Sequence, residues 1–373
     1  MTTKPIGLYI HVPFCVKKCN YCDFCSYNLS SVSWRNEYID RLCEEIRSYR
    51  GCDISVDSIF FGGGTPSLLT PCEFDRICSE INGSFNVLPQ CEFTVEANPK
   101  TLDAEKLRSY KKNGVNRLSI GLQSIHENEL KILGRIHLYE DFLASYNLVR
   151  KEGIDNINVD LMYGIPEQSM DSFSQTLDTV LHLQPEHISL YGLILEEGTP
   201  LYENRDKLNL PDEDSECDMY YMATRRLRNA GYNHYEISNY ALPGRECRHN
   251  LKYWRCREYI GIGVAAYSYF DGKRFDNSSN VYDYLSCESA PMLLARRLTD
   301  EDRESEFIML ALRLCEGISL EEYKSRFNKD LLESKKGIIK KYIDAGLMTL
   351  ADNRLALTER GFYVSNSIIC DFI

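Results

Sequence analysis

The chain has 373 residues, a formal net charge of −12, 43% apolar residues and 26% charged residues. That is ordinary globular composition, at a length that suits two to three domains or one large α/β domain with an appendage, and it excludes whole-chain disorder. The acidic balance argues against binding nucleic acid through a general positive field, and no apolar run approaches the ~18 residues that span a bilayer. The opening Met1-Thr-Thr-Lys-Pro-Ile-Gly carries no signal-peptide core, so a cytoplasmic location is expected.

From residue 6 to about residue 195, β-rich runs alternate with amphipathic segments. The runs are Ile6–Val12, Ser58–Gly62, Glu92–Ala97, Arg117–Gln123, Ile157–Tyr163 and His187–Leu195. Between them, Trp34–Tyr49 places Trp34, Tyr38, Leu42, Ile46 and Tyr49 near one helical face. Thr70-Pro71-Cys72-Glu73 combines an N-cap, a Pro at the first helical position and a Glu three residues after the cap. Leu102–Asn113 stops at Gly114, and Ser169–Leu183 stops before Pro185. Alternation of this kind predicts a parallel sheet with right-handed crossovers. A closed (β/α)8 barrel needs roughly 250 residues. The expected fold is therefore α/β, an open six-unit (β/α)6, TIM-like partial barrel over residues 1–205 with a cysteine loop at 13–27.

Beyond residue 200 the pattern changes. Pro211–Tyr232 reads as one helix, and Tyr235–Asp276 as an aromatic, irregular stretch within a segment, residues 206–290, that completes and covers the barrel. The nearest thing to a linker is Cys287–Pro291. Residues 291–373 then read as three helices, Asp300–Leu314, Ser319–Phe327 and Leu331–Ala345, followed by the strands Leu347–Ala351 and Arg354–Leu357 joined through Asp352-Asn353. Helices followed by a hairpin predict a mixed, winged-helix-like domain. A transcription regulator is disfavoured by the acidic charge and the lack of a helix rich in Lys and Arg.

Fifteen cysteines scattered through a long chain do not read as a disulfide framework, and most are expected to be small buried hydrophobes. Cys15, Cys19, Cys22 and Cys25 differ, falling within eleven residues directly after the first strand. Three thiolates at the 3-then-2 spacing can ligate three irons of a cubane and leave the fourth open. Counting Cys25, the alternative is a four-thiolate site, either structural zinc or a fully ligated cluster; zinc sites usually pair two Cys-x2–4-Cys units across a long insert. The run Phe61-Gly62-Gly63-Gly64-Thr65-Pro66 follows the second strand, where glycines free backbone N–H groups or simply allow a tight turn. Glu96, Gln123, Asp160 and Arg135 lie in or after later strands, at the C-terminal mouth where such folds keep ligand sites.

Ile10-His11-Val12-Pro13-Phe14-Cys15, the Cys-x3-Cys-x2-Cys loop with Tyr21, Gly-Gly-Gly-Thr-Pro, Glu96-Ala-Asn-Pro99, Gly121-Leu-Gln123-Ser and Asp160-Leu-Met-Tyr-Gly-Ile-Pro166 together resemble the radical S-adenosylmethionine (SAM) proteins of the anaerobic coproporphyrinogen III oxidase family. The resemblance covers essentially the whole chain. It implies a radical SAM barrel with a [4Fe–4S] cluster on Cys15, Cys19 and Cys22 and the open iron taking the amino and carboxylate groups of SAM. It carries Tyr9, Tyr21, Gly63, Gly64, Thr65, Glu96, Gln123, Arg135, Asp160 and Ile194 over as SAM contacts, with Arg135 toward the carboxylate. The true oxidase resembles Cys-x3-Cys-x2-Cys-x-Cys, whereas this chain has Phe24 at the fourth position and lacks the oxidase's N-terminal extension. Tyr235-Glu-Ile-Ser-Asn-Tyr240 and Cys247-Arg-His249-Asn250-Leu-Lys-Tyr253-Trp254 resemble instead the haem-chaperone (HemW) branch. That implies binding of haem, with His249 as an axial ligand or nearby contact, and transfer to a haem-accepting protein. The alternative is an enzyme, an oxygen-independent coproporphyrinogen III oxidase or another tetrapyrrole-modifying radical SAM protein. The implied partners are haem or a related tetrapyrrole, the acceptor and an electron donor, with any membrane contact peripheral and made through the acceptor.

Overall fold

Along the first six strands, polar and apolar residues alternate, and the two sets face opposite ways. Tyr9, Glu96, Arg117, Ser119, Asn158, Asp160 and Ser189 turn to one cavity, while Leu8, Ile10, Val95, Leu118, Ile120, Val159, Leu161 and Ile188 pack into the main apolar core. A sheet wound this way buries its outer face under helices and keeps a polar interior, unlike the apolar layers that fill a closed (β/α)8 barrel.

The structure is a computed structural model, and it describes residues 4–31, 33–287 and 296–373. Six strands make the parallel centre: β1 (Ile6–Val12), β2 (Ser55–Gly63), β3 (Asn86–Ala97), β4 (Arg117–Gln123), β5 (Ile157–Tyr163) and β6 (His187–Gly192). Further along come β7 (Asn233–Glu236), β8 (Asn239–Ala241), β9 (Tyr259–Ile262), β10 (Tyr267–Phe270), β11 (Lys273–Asp276) and β12 (Arg296–Arg297). They form one sheet in the order β12-β11-β10-β9-β1-β2-β3-β4-β5-β6-β8-β7. Its edges do not meet, so the barrel is open, as expected. The stretch expected to be irregular instead feeds both edges: β9 pairs parallel to β1, and β8 pairs antiparallel to β6. These strands are four residues or fewer, too short to show a period, and their partners lie far away in sequence.

The helices begin at the polar residues that mark them. Thr70 and Glu73 form a capping box before Pro71–Ser84, and Asp103 and Ser169 cap Ala104–Lys112 and Met170–Leu183. Arg35–Ser48 buries Tyr38, Leu42 and Ile46. Between Gln123 and Ile157, where no element was predicted, lie the helices Glu127–Ile132 and Tyr139–Lys151. The linker predicted at Cys287–Pro291 lies, apart from Cys287, outside the described residues.

The C-terminal part has its own apolar cluster, including Phe307, Tyr323, Leu355, Phe362 and Phe372. Asp352 and Asn353 both take positive φ, the conformation a two-residue hairpin turn demands, between Met348–Ala351 and Arg354–Leu357. Ile318–Ser319 adds a third strand. The predicted helix Leu331–Ala345 is broken into Leu331–Ser334 and Lys336–Asp344. This part meets the barrel through Cys315 N donating to Tyr235 O (3.1 Å), a backbone bridge between Glu236 and Leu314, and the ion pair Arg274–Glu306 (2.9 Å).

Candidate functional site

The cysteine loop leaves β1 at the C-terminal end of the barrel and is braced on several sides. Tyr27 N donates to Pro13 O (2.7 Å), Asn20 N to Leu133 O (2.9 Å) and Leu201 N to Asn20 O (3.0 Å). His11 Nε2 donates to Cys25 O (2.8 Å), which leaves Nδ1 to accept from Tyr9 OH (3.1 Å). Phe14 packs under the loop against Trp34 and Tyr38. The glycine run fits this crowding. A Cβ at Gly63, whose φ is +111°, would stand 2.5 Å from the His11 ring, and one at Gly64 would stand 2.7 Å from Phe14 O. Those two glycines therefore let β2 pass close beneath the loop.

Every residue singled out above as a cluster, SAM or haem contact lines a single cavity of about 540 Å3: Cys15, Cys19, Cys22, Tyr9, Tyr21, Gly63, Gly64, Thr65, Glu96, Gln123, Arg135, Asp160, Ile194 and His249. Cys25 does not line it; its Sγ lies 3.8 Å from Tyr27 OH and 3.5 Å from Ser279 O. Among the described residues no three His, Cys, Asp or Glu side chains converge to hold a single metal ion. Cys15, Cys19 and Cys22 all line the cavity wall.

A belt of hydrogen bonds joins two of them. Thr65 Oγ1 donates to Cys15 Sγ (3.8 Å) and accepts from Asn98 Nδ2 (2.8 Å). Asn98 Oδ1 accepts from Arg135 Nη2 (2.7 Å), and Arg135 Nη1 reaches Cys19 Sγ (3.5 Å). Arg135 also donates to Gly121 O (2.7 Å). Asn98 was not singled out in the sequence, although it sits inside Glu96-Ala-Asn-Pro99. Burial raises the thiol pKa of Cys15 and pushes that of Cys22 up to about 11, so loading a metal here releases protons.

Two carboxyl groups share the cavity. Glu96 Oε2 accepts from Gly63 N (3.3 Å), and burial, reinforced by Asp160, pushes its pKa up to about 8. Asp160 is raised by burial against the pull of its partners, Asn158 Nδ2 at 2.7 Å and Ser119 Oγ at 3.4 Å. A cation arriving between them would favour ionisation of both.

His249, 1% exposed, lines the same cavity. Its Nδ1 pairs with Ser58 Oγ (3.0 Å), its Nε2 with Tyr253 OH (2.8 Å), and its ring stacks on Phe60. Burial, then Lys252 and Arg117, lowers its pKa to about 3, so it is a neutral imidazole. Both nitrogens are engaged, and axial ligation would break one of these bonds. The helix that carries it, Arg248–Trp254, is capped by Glu92, which accepts from Arg248 N and His249 N, each at 3.0 Å.

Residues 9–180 match the family model of the Radical SAM superfamily, and residues 298–364 that of the HemN C-terminal domain. The protein named "Heme chaperone HemW" from Lactococcus lactis subsp. lactis (strain IL1403) is 34% identical, covering 100% of this chain and 98% of its own length. The one from Escherichia coli (strain K12) is also 34% identical, covering 98% and 97%. The one from Synechocystis sp. is 37% identical over 84% and 79%. Among solved structures, the coproporphyrinogen III oxidase HemN from Escherichia coli superposes with a TM-score of 0.84 at 21% identity, over 99% of this chain and 90% of that one, a likeness of fold.

Proposed function

The chain belongs to the HemW family of haem chaperones within the radical SAM superfamily, and we propose that it binds haem and hands it to a haem-requiring acceptor protein. In this reading Cys15, Cys19 and Cys22 hold a [4Fe–4S] cluster, and SAM lies along Tyr9, Tyr21, Gly63, Gly64, Thr65, Glu96, Gln123, Arg135, Asp160 and Ile194. Three thiols of a Cys-x3-Cys-x2-Cys loop on one cavity, two of them hydrogen-bonded by Thr65 and Arg135, support a polynuclear cluster with an open iron. Cluster and SAM together supply one-electron chemistry at a sulfonium. The chain's own part is to hold the loop in register through His11, to keep a guanidinium beside Cys19, and to offer two buried carboxyl groups to a cationic ligand. Haem is taken to contact the Phe60, His249 and Tyr253 side of the cavity. The acceptor and the electron donor are its protein partners, and the cytoplasm its location. Among the described residues no helix is long and apolar enough to cross a membrane.

The observation that carries this reading is the common cavity of the cysteine loop, the two carboxyl groups and Arg135, in a chain that aligns end to end with HemW proteins. Phe24, 63% exposed where the oxidase resemblance calls for a fourth cysteine, weighs against the enzyme reading. The test is anaerobic reconstitution followed by parallel incubation with haem and with coproporphyrinogen III. Soret absorbance should report stoichiometric haem binding, with no decarboxylated product. Product formed over many turnovers would replace the chaperone with an oxidase.

A further inference from the structure

Arg117 opens β4 and turns its side chain into the barrel, where it lines the same cavity as the cysteine loop while only 2% exposed. Its Nε is buried with no hydrogen-bond partner, and among the described residues its guanidinium makes no ion pair. The buried Glu92 and Asp160 stabilise its charge without taking a hydrogen bond from Nε, and a buried donor is ordinarily paired. The two acids that act on its charge take their hydrogen bonds from other groups. Both Glu92 oxygens accept backbone N–H groups of the helix Arg248–Trp254, and Asp160 accepts from Asn158 and Ser119. The remaining cavity residues about it, Ser119, Asn158 and Ser189, are neutral.

We propose that Arg117 is the anchor of a carboxylate subsite inside the cavity, completed by a carboxylate that the bound ligand brings. A guanidinium presents paired N–H donors that match the two oxygens of a carboxylate, and burial strengthens that match. A single negative charge suits the place better than a doubly charged phosphate, because Glu96 and Asp160 stand in the same cavity. Building on the function proposed above, the source is a haem propionate, since Arg117 shares the cavity with the aromatic side formed by Phe60, His249 and Tyr253. The other carboxylate within reach of this chemistry is that of SAM.

The test uses the full chain as wild type, Arg117→Met and Arg117→Lys. Without ligand, Arg117→Met should keep the wild-type circular dichroism spectrum, so that a loss of binding reads the loss of the guanidinium. In Soret titrations its affinity for ferric haem should fall about ten- to a hundredfold. Its affinity for haem dimethyl ester, which has no free propionate, should equal that of wild type, and Arg117→Lys should lie between. If haem binding is unchanged and SAM affinity of the reconstituted protein falls instead, the subsite stands with the aminoacyl carboxylate as its occupant. A wild type that binds no haem overturns the chaperone reading, and the SAM titration still decides whether Arg117 is an anchor. The proposal fails if neither affinity depends on Arg117, or if Arg117→Met loses haem and haem dimethyl ester alike, which would mean the guanidinium serves the fold and not a ligand carboxylate.

Discussion

The two ends of the barrel are built from the same kinds of residue and use them differently. At the C-terminal end, Cys15, Cys19, Cys22, Glu96 and Asp160 face a cavity. At the N-terminal end, Glu92, His187 and His249 are consumed by the chain itself. His187 donates from Nδ1 to Asn158 Oδ1 (2.6 Å) and accepts at Nε2 from Tyr235 OH (2.8 Å), while Glu92 caps a helix and His249 bridges Ser58 and Tyr253. A His or Glu inside a barrel thus says little by type; whether its polar atoms are already partnered says whether it is free to serve a ligand.

The contrast breaks most completely at the cysteines. Cys19→Ala should abolish cluster assembly, measured as iron and sulfide after reconstitution, whereas Cys25→Ala should retain it, because that side chain points to Tyr27 and Ser279. Equal loss in both would restore the four-thiolate reading.

Glu96 separates the ends by pH. Its folded pKa of about 8 lies above the ordinary 4.5, so the folded protein binds the proton more tightly than the unfolded chain. Its contribution is fullest below pH 4.5 and is lost as the pH rises through 8. Glu96→Gln cannot ionise and should flatten that decline, with a gain at pH 8.5 of up to about 4 kcal/mol over wild type. Denaturant melts across this range decide it, and parallel curves for the two proteins would count against the shift.

His249→Ala tests the other end. Losing two hydrogen bonds and a stacked ring should cost about 2–3 kcal/mol of stability, weaken haem binding and leave the cluster intact. The Soret band should keep its position; a shift would make His249 an iron ligand after release of Tyr253.

Arg135 gives the smallest change. Removing one charge-assisted partner from SAM, worth roughly 1.5–3 kcal/mol, should weaken binding about ten- to a hundredfold in Arg135→Ala. Unchanged affinity by equilibrium dialysis would confine Arg135 to bracing Asn98 and Cys19.

Much of this was legible because it is local. The cysteine spacing, the capping box at Thr70 and Glu73 and the Asp352-Asn353 turn each declare themselves within a few residues. What escaped depends on distance along the chain. His249 is decided by Ser58, 191 positions away, and strands as short as Asn239–Ala241 exist only because a long parallel strand offers an unpaired side. Tyr139–Lys151 escaped for a different reason: its cap, Leu138, is not a capping type, so no start signal precedes it. Arg117 could have been noticed as a charge within an otherwise buried strand, but that its Nε finds no partner in the chain is visible only in three dimensions.

The meeting of Tyr235 and Glu236 with Leu314 and Cys315 has a consequence for solubility. An open sheet has two free borders, and an unpaired border is a template for strands of other molecules. One border ends in the two-residue strand Arg296–Arg297, whose exposed like charges repel a second copy. At the other, β7 is partly covered by the backbone of residues 314 and 315. Cutting away the C-terminal part would uncover that border as well as remove an apolar cluster, so the shortened chain should self-associate rather than persist as a bare barrel.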